Sequence, residues 1–126
     1  MSGATNYNLS PPPVVWPSMR AGEGDWRVLD CTPDLGPVSD TIPSTGVMTV
    51  AISRMDGALM TANDLQTGGS NWPNTLDSTG LMPSLGFSAP AGAAGVIYII
   101  TLTVNKTTQG RLFIRDIFLS VLPRMG

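Results

Sequence analysis

The strongest constraint on the fold is a two-residue alternation in the last third of the chain. The segment Ala89–Val104 reads APAGAAGVIYIITLTV, with a corner of small residues that ends at Gly95. Successive side chains of a β-strand point to opposite faces. One face of such a strand carries Tyr98, Ile100, Leu102 and Val104. The polar loop Lys106–Gly110 (KTTQG) then leads into Arg111–Leu122 (RLFIRDIFLSVL). We therefore predict an antiparallel hairpin, with Arg111–Leu122 as the returning strand.

The returning strand has apolar residues on both faces, and neither face is wholly apolar. Leu112, Ile114 and Phe118 compete with Phe113, Ile117, Leu119 and Val121. A single extra residue in a strand exchanges its two faces. The sequence thus predicts a bulge or a change of face near Arg115–Asp116.

Two further strands follow from the same alternation. Gly24–Thr32 (GDWRVLDCT) places Leu29 and Cys31 on the inward face. Gly46–Arg54 (GVMTVAISR) places Met48, Val50 and Ile52 on one face. Asp56-Gly57 is a turn signal that predicts a hairpin with a returning strand at Ala58–Ala62, and Val38–Ile42 is a shorter extended candidate. The predicted core comprises Leu29, Val50, Ile52, Tyr98, Ile100, Leu102 and at least two of Ile117, Leu119 and Val121.

No segment has a helical period with capping residues, so the chain is predicted to be all-β. Its 126 residues correspond to one domain. We expect an extended Pro-rich N-terminal arm at residues 1–20, because Ser10–Pro17 reads SPPPVVWP and proline forbids helix. Residues 21–126 form a single β-sandwich domain, with a long loop at residues 63–80 that contains Trp72.

The composition argues against an enzyme. The chain has no histidine, one lysine and one cysteine, so the usual general base and the usual metal ligands are missing. Cys31 lies in a strand-like run and is expected to be a small buried side chain. The aspartates are spread along the chain beside turn-forming residues. We predict no catalytic residue, no metal site and no cofactor.

Charge is the unusual feature of the composition. Charged residues make up 13% of the chain, compared with about 25% in ordinary soluble domains. The net charge is −2 and no basic run is present, so nucleic acid is not an expected partner. No secretory signal is apparent at Met1–Leu9, and the apolar stretch near Val96–Ile100 is too short to span a membrane. A weakly charged surface favours a protein whose surface is covered by neighbouring chains.

The run Ala91–Val104 has the pattern A-G-x-x-G-x-x-Y-x-I-x-L-x-V. It resembles the corner and sixth strand of immunoglobulin-like and fibronectin-III-like sandwiches. The resemblance implies that the Tyr98 hydroxyl ties the corner to the backbone a few residues upstream. The alternative is that Tyr98 is an ordinary strand residue.

The chain as a whole resembles phage virion proteins known as fibre–tail adaptors. The pieces that carry the resemblance occur in order between Pro13 and Leu122. They are Trp16-Pro17, Leu29-Asp30, Asp40–Ile42, the strand from Val47, Ala89–Gly95, the Tyr98 strand and the T-x-x-G-R turn Thr107–Arg111. Two features depart from the pattern: Cys31-Thr32-Pro33 follows the L-D pair, and the loop at 63–80 is longer.

The resemblance implies a structural tail adaptor that links the phage tail to its fibres or to neighbouring tail components. The implied partners are other phage structural proteins and further copies of the chain in a ring, in a virion assembled in the host cytoplasm. A capsid decoration or cement protein is the alternative, and a carbohydrate-binding or adhesin module is a second one.

Trp16 and Trp72 are the candidate interface anchors, because tryptophan often dominates interface energies. For each, a purely structural role remains open. Trp16 could fill the edge of the core, and Trp72 could cap the sandwich.

Overall fold

The structure is a computed structural model, and it describes residues 14–67 and 69–124. In these ranges the chain forms two β-sheets and one short helix, α1 (Thr32–Leu35). The strands are β1 (Val14–Val15), β2 (Met19–Arg20), β3 (Gly24–Val28), β4 (Met48–Arg54), β5 (Gln66–Thr67), β6 (Thr75–Leu76), β7 (Pro83–Ser88), β8 (Ile97–Val104) and β9 (Phe113–Leu122). The prediction of a mostly β, sandwich-like domain is confirmed at this level.

The first sheet has five strands in the described part of the chain and contains the predicted hairpin. Its order is β1-β9-β8-β4, and β2 also pairs with β9 further along that strand. β8 and β9 are antiparallel from Phe113↔Val104 to Ser120↔Ile97 without an interruption, and β4 pairs with β8 from Met48↔Val104 to Arg54↔Tyr98. The predicted bulge near Arg115–Asp116 is therefore wrong.

The described part of the N-terminal arm runs along β9. β1 and β2 both pair with β9 in parallel, through Val15↔Phe118 and Met19↔Val121. From Val15 to Met19 the arm advances four residues, whereas their partners Phe118 and Val121 are three residues apart. The arm therefore has one extra residue around Pro17, which lacks the N–H that a continuous ladder needs. The described residues of the predicted arm thus form two short strands on β9, and residues 1–13 lie outside the described residues.

The second sheet is built from shorter pieces. β3 and β5 flank β7, and β6 also pairs with β7, all antiparallel. β5 and β6 lie inside the segment 63–80 that the sequence predicts as a loop. That segment is thus partly an element of the sheet, because its backbone groups bond to β7.

The core lies between the two sheets and agrees with most of the predicted set. Leu29 and Cys31 are buried, as is every second residue of β8 from Tyr98 and of β9 from Ile117. The second sheet contributes Leu85 and Phe87. Val50 and Ile52 are only half-buried, because β4 is the edge strand of its sheet.

Three local predictions are wrong. Ala58–Ala62 forms no strand, and neither does Val38–Ile42, where a short 3-10 helix ends at Val38. The strand predicted at Gly24–Thr32 ends at Val28, and Pro33 opens α1. Proline fits the first turn of a helix because it needs no N–H partner there.

No helix in the described ranges has the length and apolar character needed to cross a membrane. Among the same residues, no three Cys, Asp or Glu side chains come together in a way that could hold a metal ion.

Candidate interaction surfaces

Trp16 lies in the interior, between the two sheets. It is 7% exposed and meets the Phe87 ring edge to face, with the ring centroids 5.8 Å apart. Its backbone N–H donates to the Phe118 carbonyl at 3.0 Å. This position favours the alternative in which Trp16 completes the domain's own core.

Trp72 packs on the outer side of the second sheet. Its ring meets Trp26 of β3 in a T-shaped arrangement at 4.7 Å, and the Trp26 indole N–H donates to the Pro73 carbonyl at 2.9 Å. Trp72 is half-buried and Trp26 is 42% exposed. The segment therefore folds back on the domain, and the aromatic surface that remains accessible belongs mainly to Trp26.

Two glycines make room for Trp72. A Cβ atom at Gly86 would overlap the Trp72 carbonyl group, and one at Gly24 would overlap its indole ring. The Gly86 N–H donates to the side-chain oxygen of Asn74 at 3.0 Å. The close approach of Trp72 to the sheet thus depends on the missing side chains at these two positions.

The outer face of the five-stranded sheet extends over β1, β9, β8 and β4. It carries the residues that alternate with the buried ones. The apolar members are Val15, Ile97, Ile99, Ile114, Phe118 and Leu122, and the small or polar members are Thr49, Ala51, Ser53, Thr101, Thr103 and Ser120. Val15 is 73% exposed and Ile114 is 50% exposed. We call this surface the outer face.

The described strands place only two charged residues on the outer face, and both have partners within the chain. Asp116 accepts a hydrogen bond from the Thr101 hydroxyl at 2.8 Å. Arg20 donates to the Pro123 carbonyl at 3.0 Å. A face that combines apolar with small polar residues and has little charge is suited to contact with another protein surface.

The sequence contained a signal for the outer face. Apolar residues on both faces of Arg111–Leu122 suggest a bulge from sequence. In the structure, the set with Ile117, Leu119 and Val121 lies in the core, and the set with Ile114 and Phe118 lies on the outer face. Strands covered on both sides have this pattern. The inward Arg115 adds a charge at the end of the core face, where it contacts Asp34 of α1 at 3.3 Å.

A buried carboxylate joins two of the sequence motifs. Asp40 accepts hydrogen bonds from the Thr107 hydroxyl at 2.6 Å and from the backbone N–H groups of Gln109 at 3.0 Å and Thr41 at 2.9 Å. Burial by itself would raise the pKa of Asp40, but these hydrogen bonds hold that pKa below its ordinary value. The D-T-I segment Asp40–Ile42 and the turn Thr107–Arg111 are thereby fixed to each other.

A second buried carboxylate receives the Tyr98 hydroxyl. Asp64 accepts from this hydroxyl at 2.7 Å and forms an ion pair with Arg54 at 2.8 Å. The Tyr98 hydrogen bond, the Thr61 N–H and Arg54 lower the pKa of Asp64, while burial and the Asp64 contact raise the pKa of Tyr98 to about 12. The partner is a side chain 34 residues upstream, so the expected bond to nearby backbone is replaced by a longer-range one.

A groove lies beside the edge strand β4. It has a volume of about 320 Å³, and its lining is uncharged. The lining residues are Val50, Ile52, Met60, Thr61, Ala62, Leu65, Gln66 and Thr67. No motif in the sequence predicts this groove, since it arises where Ala58–Ala62 fails to pair with β4.

Cys31 is fully buried, and burial raises the pKa of its thiol to about 12. A thiol of this kind stays protonated at neutral pH and is a poor nucleophile. Its position in the core agrees with the interpretation of Cys31 as a packing residue.

Comparison of the sequence with models of known protein families and with curated proteins gives no match.

Proposed function

We propose that the chain is a structural virion protein, a tail adaptor that links a phage tail to its fibres or to neighbouring tail components. The order of the sequence motifs suggests this role, together with an immunoglobulin-like or fibronectin-III-like form of the sandwich. The observation that carries the proposal is the outer face, which has a row of apolar residues across β1, β9 and β8. Val15, Phe118 and Ile99 form one continuous row.

The physical argument concerns the cost of leaving this face in water. Burying apolar surface contributes about 25 cal/mol per Å², and an exposed apolar sheet face favours association. The low charge of the chain offers little repulsion between copies or partners, since the net charge is −2. A protein that works inside a large assembly has both properties.

The experiment compares two full-length variants that add one carboxylate each. Ile114→Asp changes the outer face, whereas Leu59→Asp changes a residue that is 89% exposed in a connection outside it. Both variants should keep the thermal stability of the parent, because both residues are exposed. We expect Leu59→Asp to enter phage particles normally and Ile114→Asp to be lost from them, as measured by mass spectrometry of purified particles.

Electron microscopy of the same particles tests the location. A ring of copies around the tail axis supports the adaptor. Copies repeated over the icosahedral shell would identify a cement protein instead, and absence from particles would rule out any virion role. Equal incorporation of both variants would exclude the outer face as the interface.

The Trp26–Trp72 pair favours a second candidate, a carbohydrate-binding or adhesin module. Exposed aromatic rings can stack on sugars, and Trp26 is accessible on the outside of the second sheet. Its indole N–H is already bonded to Pro73, which removes one donor for a ligand. Quenching of tryptophan fluorescence by a panel of oligosaccharides, lost in Trp26→Ala, would support this candidate.

A further inference from the structure

Within residues 14–67 and 69–124, the side of β4 that faces away from β8 has a row of backbone groups without a backbone partner. Outside the strand itself, Met55 donates to the Ile97 carbonyl at 2.9 Å and Asn105 donates to the Val47 carbonyl at 3.0 Å, in the register of the β4–β8 ladder. Backbone bonding alternates along an antiparallel pair, so the odd-numbered residues of β4 bond to β8. The N–H and C=O groups of Met48, Val50 and Ile52 point to the open side. No other described segment forms a backbone hydrogen bond with them.

The open side is where a hairpin partner would normally lie. The turn at Asp56-Gly57 forms, with the Gly57 N–H donating to the Arg54 carbonyl at 3.1 Å. The chain that follows does not pair with β4, and the uncharged groove remains between β4 and the segment that leads to β5. An open edge with an adjacent uncharged groove is the arrangement that accepts an added strand: the edge supplies hydrogen bonds and the groove accepts alternate side chains.

The sequence before Val14 contains a segment that matches this site. Residues 5–9 read TNYNL, so Tyr7 and Leu9 fall on one face of an extended chain and Asn6 and Asn8 fall on the other. The segment carries no charged side chain, as the groove carries none. The prolines at 11–13 cannot donate to a ladder, which confines the pairing segment to the residues before them.

We propose that residues 5–9 of one copy pair with β4 of a second copy, with Tyr7 and Leu9 in the groove. The chain enters the described structure at Val14, on β1, and β1 and β4 are opposite edges of the same sheet with β9 and β8 between them. This separation favours a neighbouring copy as the acceptor. Donor and acceptor are different surfaces, so each copy gives one strand and receives one, as in a head-to-tail assembly.

The first test places charge on each face of the donor segment in the full-length chain. Tyr7→Asp with Leu9→Asp would place carboxylates in the uncharged groove, whereas Asn6→Asp with Asn8→Asp adds the same charge to the other face. By sedimentation equilibrium we expect the parent and the Asn variant to self-associate, and the Tyr7/Leu9 variant to do so about tenfold more weakly or not at all. Equal association of the two variants, or a parent that is monomeric at all concentrations, would overturn the proposal.

A disulfide test identifies the acceptor. One full-length chain carries Tyr7→Cys and a second carries Thr67→Cys, at a groove residue that is exposed. Buried Cys31 should not compete, since its thiol stays protonated. Oxidation of the mixture should give a disulfide-linked dimer of the two chains. No dimer, or an internal disulfide alone when both substitutions are in one chain, would overturn exchange between copies.

The inference rests on the proposed function only in supplying a means of assembly, and the two can fail separately. Strand exchange is measured on the purified chain, whereas the virion role is measured on particles. The chain could be present in particles, be lost from them in the Ile114→Asp variant, and still show no strand exchange when purified. That result would leave the adaptor proposal intact. Exchange in a chain absent from particles would leave only the strand-exchange proposal.

Discussion

The two sheets of this domain are specified in different ways. The five-stranded sheet contains β8 and β9, which are eight and ten residues long and share an unbroken register. In the second sheet, β5 and β6 have two residues each and depend on β7 for every ladder bond. Long alternating strands are encoded locally, whereas two-residue strands form only when a partner is already in place.

Two buried carboxylates fix the connections between strands. Asp40 holds the segment between α1 and β4 to the β8–β9 turn through Thr107 and Gln109, and Asp64 holds the segment between β4 and β5 to Tyr98. Each carboxylate is buried and satisfied by several donors, as a buried charge must be. The apolar contacts of the core are thus complemented by the hydrogen bonds of Asp40 and Asp64, which hold the connecting segments in place.

The largest effect is expected where the two sheets meet. Trp16→Ala removes the ring that contacts Phe87, so we expect a loss of about 3–5 kcal/mol in the free energy of unfolding. Trp72→Ala removes a half-buried ring outside the core and should destabilise less. Urea denaturation followed by circular dichroism measures both. A larger effect of Trp72→Ala would make the second sheet, and not the interface between sheets, the main support of the fold.

A slightly smaller loss is expected inside the five-stranded sheet. Ile100→Ala should lower the free energy of unfolding by about 2–5 kcal/mol, because Ile100 is fully buried. Its neighbour Ile99 points to the outer face, and Ile99→Ala should change stability by about 1 kcal/mol or less in the isolated chain. Similar losses for the two variants would mean that the outer face is already covered in solution.

The length of a strand, and not the sheet to which it belongs, separates the predictions that hold from those that fail. The strands at Gly46–Arg54 and Arg111–Leu122, and the Tyr98 strand between them, could be predicted because alternation over seven or more residues records which side faces the core. The strand at Ala58–Ala62 was predicted from a turn signal alone, and the turn formed without it. A turn fixes only a local reversal, and pairing requires contacts that the turn does not contain.

The sites were harder to predict than the strands. Trp16 and Trp72 were chosen by residue type, and both make contacts within the chain that depend on residues distant in sequence, Phe87 and Gly86 among them. The Thr107 partner of Asp40 lies 67 residues away, and the Tyr98 partner of Asp64 lies 34 residues away. Such contacts depend on how the two sheets pack, and a single sequence contains no local signal for them.

A third prediction concerns the second sheet. Gly86→Ala would force the Trp72 backbone away from β7, and we expect a loss of about 1–3 kcal/mol in the free energy of unfolding. Gly46→Ala is the control, because the nearest atom to its new Cβ is the Ser44 hydroxyl at an ordinary 3.5 Å. Tryptophan fluorescence should shift in the Gly86 variant alone. An unchanged spectrum and stability would show that the segment from Trp72 adjusts freely, unlike the strands of the first sheet.

The smallest expected effect is a change in the pH dependence of stability that comes from the buried carboxylate of Asp64. The pKa of Asp64 is lower in the folded chain than in the unfolded chain, where it is about 3.9. Its contribution to stability is therefore fully present above about pH 5 and is lost as the pH falls through the folded-state pKa. Tyr98→Phe removes the largest cause of the lowered pKa, so the folded-state value should move towards the unfolded one.

The consequence is a flatter acid limb in the variant. Thermal unfolding at a series of pH values should give a Tm for the parent that is constant near neutrality and declines below about pH 4. Tyr98→Phe should have a lower Tm at pH 7 and a smaller further decline in acid, whereas the buried carboxylate of Asp40 contributes equally to both proteins. An acid limb as steep as that of the parent would mean that Arg54 and Thr61 alone hold the Asp64 carboxylate, and that the tyrosine is a packing residue of the first sheet.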